Sequence, residues 1–334
     1  MPRVTISDVA KAAKVSTMTV SRVVNNKGEI SEATRARVER AVERLGYRPN
    51  RLARALSLQE TQTIGMVVPD INNPFFSEII RGVEDEAWAR GYSLIIGSTV
   101  ESLKREAHTL QLLEEKHVDG VIVCSPRLPD AQLFALLEQH RSALLLNRPA
   151  PAALAGNIML DDTQGAMRAV HHLLSRGRSA IGFIAGPLTS HSRQRREAGY
   201  TIALETTGRK MVPSYIVSCT PDEAGGYEAT RGLLEAQPEL DGLFCYNDLV
   251  AVGALQACSA LGVRVPEDVA VVGCDDIRLA SLVTPALTTL RVNKQALGRR
   301  AVTLLLERHF AAPGIQSEKV EILKPQLVVR ASAP

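Results

Sequence analysis

Between Thr63 and Cys274 short, almost unbroken apolar runs alternate with amphipathic helical windows, and few folds accept that pattern. The runs are IGMVV (64–68), SLIIG (93–97), GVIVC (120–124), ALLLN (143–147), AIGFIA (180–185), YIVSC (215–219), GLFCY (242–246) and VAVVGC (269–274). Between them lie helical windows such as PFFSEIIRGVEDEAWARGY (74–92) and TQGAMRAVHHLLSRG (163–177). Strands that are apolar at nearly every position are buried on both faces, which predicts parallel sheets covered by helices. LTTLRVN (287–293), a helix through Phe310, EKVEIL and QLVVR complete the series. So many units exceed one ordinary sheet, which predicts two doubly wound α/β lobes with the last segments crossing between them. Ligands of such sheets sit beyond the carboxyl ends of the strands, here a cleft between the lobes.

The first fifth of the chain follows a different period. In VTISDVAKAAKVSTMTVSRVVN (4–25), Ile6, Val9, Ala10 and Ala13 mark one face of a short helix, with Thr5 and Asp8 placed as a capping box. Lys14-Val15-Ser16 interrupts the pattern, and Val20, Val23 and Val24 resume it behind a cap at Ser16 or Thr17. Two short helices joined by a tight turn describe a helix-turn-helix, with Thr17, Met18, Ser21 and Arg22 on the outer side of the second helix, where side chains reach base edges or phosphates. A third helix, capped by Ser31 and striped by Val38, Ala41, Val42 and Leu45, ends at Gly46. Next comes RLARALSLQETQT (51–63), too short to hold as a lone helix.

Charge points the same way. Residues 1–62 carry twelve Lys or Arg against six Asp or Glu, a balance of +6; since the whole chain is +3, the remainder is −3. A basic head on a mildly acidic body suits a polyanion partner. No apolar run approaches a membrane span, and MPRVTISDVAK has no secretory apolar region, so a cytoplasmic protein is expected. The five cysteines (124, 219, 245, 258, 274) have no CxxC spacing and read as buried reduced thiols.

DVAKAAKVSTMTVSRVVNN, GYRPNRLARALS, IGMVVPDINNPFFSEIIRGVEDEAWARGY, QRREAGYTIAL, LFCYNDLVAVGAL and VPEDVAVVGCDD resemble the lactose/galactose-repressor (LacI/GalR) family of bacterial transcription regulators over essentially the whole chain. The resemblance implies a helix-turn-helix DNA-binding domain (1–48), a hinge (49–62) and an effector-binding, dimerising core (63–334) of periplasmic-binding-protein type. The N-lobe would take about 63–162 plus 293–323, and the C-lobe about 163–292 plus 324–334. It implies a homodimer on a pseudo-palindromic operator, with Thr5, Ser16, Thr17, Met18, Thr19, Ser21, Arg22, Asn25, Asn50, Arg51, Ala53, Arg54 and Leu56 at the DNA. Thr17 and Met18 would set base preference, Arg51 and Arg54 neutralise phosphates, and Leu56 wedge into the minor groove.

The resemblance also implies a small-molecule site. Asn73, Phe75, Phe76, Asn147, Arg148, Asn247 and Asp275 fall at or just past strand ends, while Gln194 and Arg196 fall at the start of QRREAGY, read as a loop. The phenylalanines suit the C–H face of a sugar, and the polar groups suit vicinal hydroxyls. Plain core packing is the competing reading for Phe75 and Phe76, and helix capping for Asp248. Relatives often carry Arg at both the 194 and 196 positions, which leaves open which of the two reaches a ligand. They often carry Asp at 147; with Asn there, Arg148 and Arg196 face Asp275, a surplus near +1 that tolerates a sugar acid or phosphate. Neutral aldoses are the first expectation, sugar acids the second, with sugar phosphates, nucleobases or a coregulator protein behind them.

Other functions fit less well. The chain has no GxxxxGK[ST], GxGxxG, HExxH or GxSxG. His171-His172 would point about 100° apart on a helix and make a poor metal site. No enzyme activity and no cofactor are expected, and a sugar-binding protein without a DNA role would not carry the N-terminal helices. The expected mechanism is allosteric: ligand changes the lobe angle and the spacing of the hinge segments, with a sign that the residues do not reveal.

Overall fold

The computed structural model describes residues 4–24, 28–47, 60–310 and 320–334. The chain divides into two compact units, 1–61 and 62–334. In the first, α1 (Ile6–Ala13), α2 (Thr17–Val24) and α3 (Glu32–Leu45) enclose Val9, Ala10, Ala13, Val20, Val23, Val38 and Ala41. The Thr5–Asp8 capping box forms: the Thr5 N–H donates to Asp8 Oδ2 at 2.9 Å and the Asp8 N–H to Thr5 Oγ1 at 3.4 Å. Ser16, not Thr17, starts α2, its Oγ accepting the Thr19 N–H at 3.1 Å. Gly46 closes α3 at φ 63°, a left-handed turn that only glycine adopts without cost. Ser31 stands at the start of α3 but gives its hydroxyl to Thr34 Oγ1 instead of accepting a backbone N–H.

The second unit is built from two parallel sheets. β1 (Thr63–Val68), β2 (Ser93–Ser98), β3 (Gly120–Cys124), β4 (Ala143–Leu146), β5 (Gly156–Leu160) and β11 (Glu321–Leu323) lie in the order β11-β5-β4-β3-β1-β2. β6 (Ile181–Ala185), β7 (Ile216–Ser218), β8 (Gly242–Cys245) and β9 (Ala270–Val272) lie in the order β7-β6-β8-β9. β10 (Thr289–Arg291) and β12 (Gln326–Val328) pair antiparallel. Eight of these strands match the apolar runs. β5 does not, because Asn157 breaks its sequence, yet that side chain is buried and bonded to the carbonyls of Ala150 and Ala155. β2 is apolar but half exposed, since it forms a sheet edge.

Helices cover both faces of each sheet, which is why the central strands are apolar throughout. α4 (Pro74–Ala89) and α11 (Lys294–Phe310) pack on one face of the larger sheet, α5 (Leu103–Glu115) and α6 (Asp130–Leu137) on the other. The smaller sheet is covered by α7 (Asp162–Ser175) and α8 (His191–Glu205), and by α9 (Glu223–Ala236) and α10 (Asp248–Ala260). The chain passes between the two lobes after β5, after β10 and after β11. Cys124, Cys245, Cys258 and Cys274 are buried and Cys219 half-buried, all as free thiols. His171 and His172 bond to different partners, Thr206 Oγ1 and the Ala333 carbonyl. No cluster of metal-ligating side chains occurs among the described residues.

Candidate functional site

Where the carboxyl ends of the two sheets face each other, a cavity of about 680 Å³ opens. The first lobe lines it with Asn73, Phe75, Phe76, Glu101, Arg127 and Asn147, the second with Ser192, Arg196, Tyr246, Asn247 and Asp275, among others. Several strand ends turn here through left-handed backbone: Glu101 (φ 55°), Ser125 (φ 44°), Asn147 (φ 60°) and Asp275 (φ 124°). Non-glycine residues hold such angles only where their surroundings over-determine them, and such positions cluster at ligand sites.

One buried carboxylate organises the centre. Asp162, the first residue of α7, takes Arg196 on Oδ1 (Nε at 3.0 Å, Nη2 at 2.9 Å) and the Asn147 amide on Oδ2 (2.8 Å). Asn147 also donates to Ser192 Oγ at 2.6 Å and accepts the Leu160 N–H at 3.1 Å. Arg196 continues to the Tyr246 carbonyl, lies over the Tyr246 ring at 4.9 Å, and comes within 3.9 Å of Asp275 Oδ1. Asp275 is pushed up to about 8, first by burial and then by the negative charges of Asp248 and Asp162, against the pull of Arg196 and Lys294. Asp248, at about 6, is raised by burial although Thr289 Oγ1 and the Ile277 N–H donate to it.

Arg127 is equally committed. Its fork meets Glu101 at 2.6 and 3.1 Å, and its Nη1 donates to the Ser125 carbonyl. The loop carrying it is pinned by buried Glu106, which accepts the N–H groups of Arg127 and Leu128. Asn73 and Asn247 are helix caps whose Oδ1 atoms accept the N–H groups of Phe75 and Val250; Asn247, not Asp248, caps α10. Phe75 and Phe76 meet edge to face at 5.2 Å and serve both the lobe core and the cavity wall.

Several sequence expectations are corrected. Arg148 turns away from the cavity: its guanidinium bonds to Asp130 (2.5 Å) and to the carbonyls of Pro126 and Leu128, a set of partners 18 to 22 residues away that no local pattern reveals. Gln194 is exposed and, with Arg148, borders a separate cavity of about 350 Å³. Residues 191–196 are not a loop but the first turns of α8, started by Ser190 Oγ on the Arg193 N–H; this places Arg196 inside and Gln194 outside. Arg193 is buried and paired with Glu197. The surplus of positive charge also disappears. The cavity's charged lining is Arg127 and Arg196 against Asp70, Glu101, Asp222 and Asp275, formally −2. Arg127 and Ser125 escaped the sequence reading although they follow β3, where the strand-end rule would have found them. Asp162 left no such signal, because an acid at a helix start reads as a cap.

In the N-terminal unit, Thr17, Met18 and Arg22 stand exposed on α2, with Met18 64% exposed although apolar. Ser21 is half-buried. The hydroxyls of Thr5, Ser16 and Thr19 are engaged in capping, Thr5 with Asp8 and Ser16 with Thr19. Asn25, Asn50, Arg51, Ala53, Arg54 and Leu56 lie outside the described residues.

Residues 5–50 match the bacterial regulatory proteins of the lacI family, and residues 170–333 a periplasmic binding protein-like domain. The chain is 36% identical over 330 residues to the ribose operon repressor of Escherichia coli (strain K12), covering 98% of this chain and 99% of that protein. It is 35% identical over 331 residues to the HTH-type transcriptional repressor PurR of Serratia proteamaculans (strain 568), covering 98% and 96%. Among solved structures, the lac repressor dimer bound to operator and the anti-inducer ONPF superposes with a TM-score of 0.87 at 28% identity, covering 99% of each chain. With a DNA-reading head, a two-lobed core and relatives of matching length, the chain belongs to the lacI family of bacterial regulatory proteins.

Proposed function

We propose that the chain is a homodimeric, cytoplasmic repressor that binds a pseudo-palindromic operator and whose operator affinity is set by a neutral polyhydroxylated molecule held between the lobes. It acts by binding, without catalysis or a cofactor. Thr17, Met18 and Arg22 read the operator; Ser21, Asn25, Asn50, Arg51, Ala53, Arg54 and Leu56 keep the DNA roles that the family resemblance gives them. Thr5, Ser16 and Thr19 contribute by fixing the helix starts.

One observation carries the effector reading: both cavity arginines are already neutralised, Arg127 by Glu101 and Arg196 by Asp162. An incoming carboxylate or phosphate would meet no spare cation, whereas hydroxyls find the Asp275 carboxyl and the Asn73 amide, and aromatic walls for their C–H faces. The cavity volume falls within the usual range for a small-molecule site. D-ribose is the first probe, because the ribose operon repressor is so similar over its full length.

Thermal unfolding tests this with D-ribose, D-ribonate, D-ribose 5-phosphate and hypoxanthine. A ligand at ~100 times its dissociation constant adds roughly 2.7 kcal/mol, which raises Tm by several degrees. Stabilisation by the neutral sugar alone is expected. Larger shifts with the acid or the phosphate would overturn the charge argument, and a shift with hypoxanthine alone would move the site to nucleobases.

A further inference from the structure

Lys294 is the first residue of α11, placed directly after the second crossing between the lobes. It is 4% exposed, unusual for a lysine, and its ammonium is spent on backbone. Nζ donates to the carbonyl of Asp275 at 2.7 Å and to that of Asp276 at 2.9 Å, and lies 3.6 Å from Glu78 Oε1. These partners lie on elements that carry opposite walls of the cavity. Glu78 is on α4, whose first turn carries Phe75 and Phe76 and whose cap is Asn73; Asp275 is a cavity carboxyl group of the second lobe. Both carbonyls sit in a strained turn, with Asp275 at φ 124° and Asp276 at φ 50°. Such backbone persists only under external restraint. Two charge-assisted hydrogen bonds from a buried cation are a strong restraint. Asp276 adds a second tether, bonding through its side chain to Arg330 at 2.6 Å and to Arg291, both on segments next to the crossings.

We propose that Lys294 is the positioning residue that couples occupancy of the cavity to the angle between the lobes. It aims Asp275 by holding the 275–276 turn, and it ties that turn to α11 and α4 of the other lobe. A ligand that closes on Asp275 and on the Phe75–Phe76 wall must move both attachments of one ammonium, so the lobes change angle together. The effector part of this inference rests on the reading of the cavity given above; the positioning part does not.

The full-length dimer tests both parts. Lys294→Met keeps the length of the side chain and removes its donors; Lys294→Arg keeps donors. The first readout needs no ligand. Backbone amide exchange in segments 270–278 and 74–82 is expected to speed up about tenfold in Lys294→Met and to return toward wild type in Lys294→Arg, while segment 130–137 stays unchanged. The second readout uses D-ribose. The ratio of operator Kd with and without saturating D-ribose is expected to shrink at least fivefold in Lys294→Met. If exchange in both segments is unchanged, or accelerates evenly over the whole core, the positioning role is overturned. If exchange responds locally but the ribose ratio matches wild type, the coupling role is overturned. If wild type ignores D-ribose, the ligand assignment fails, and the exchange readout still decides for or against Lys294.

Discussion

Asp275 combines the features that make a single residue informative: burial, left-handed backbone and a carboxyl group raised to about 8. Its elevated value has a consequence for stability. Between about pH 4 and pH 8 the folded chain holds a proton there that the unfolded chain releases, so this contribution is complete below pH 4 and lost as pH rises through 8. Asp275→Asn has no such proton. The variant should therefore gain on wild type between pH 5 and pH 8, by at most about 1.4 kcal/mol per pH unit, and gain nothing further above pH 9. Urea unfolding of both proteins across that range measures it. A constant difference at all pH values would mean that Asp275 ionises freely in the folded protein. Position along the chain exposed this residue in the sequence, since it follows the run VAVVGC. The same rule pointed to Arg148 with equal force, and there it failed: Asp130, at the start of α6, captures the guanidinium. Residue type and strand end are legible in a sequence, whereas the partner that turns a side chain inward or outward is set by loops brought together only on folding.

At the scale of elements, α4 and α11 approach so closely at two glycines that neither position has room for a side chain. A Cβ on Gly82 would lie 2.1 Å from the Gln295 carbonyl oxygen, and one on Gly298 2.2 Å from that of Ile79. Backbone cannot yield as a flexible side chain would. Gly298→Ala is expected to lower core stability by about 1–3 kcal/mol. Gly232, in the exposed interior of α9, has nothing within 4 Å of its would-be Cβ, and Gly232→Ala should instead stabilise by about 0.5–1 kcal/mol. Denaturant midpoints at constant m-value distinguish the two; equal effects at the two sites would contradict the close packing. Alternation of apolar runs and helical windows made most elements readable. β5 was hidden because Asn157, though buried, is satisfied by loop carbonyls, so its run GNIML lacks the continuous apolar character of its neighbours. The starts of α1 and α2 were readable because capping is local chemistry within three residues.

For the molecule as a whole, the division of charge separates two kinds of DNA affinity. The basic first 62 residues supply a salt-dependent attraction to any duplex, which the acidic remainder does not share. Discrimination must come from groups that act regardless of salt. Met18, apolar and exposed on α2, and Leu56, the hinge leucine assigned by family resemblance, carry no charge. Neither can release a counterion, so replacing them should leave the slope of log K against log [salt] unchanged on every DNA. What should move is the intercept, and on operator alone. In the proposed reading, Met18→Ala would remove an apolar contact with base edges, and Leu56→Ala the wedge that the family resemblance implies at a bent operator centre. Each is expected to weaken operator binding at least tenfold, a loss on the order of the 1–3 kcal/mol typical of one base-reading contact, while nonspecific binding changes less than twofold. Titrations of the full-length dimer on operator and on scrambled duplex, at several salt concentrations, give slope and intercept separately. Equal losses on both duplexes would assign these residues to folding or dimer assembly, and a flatter slope would mean that they govern how the head meets phosphates.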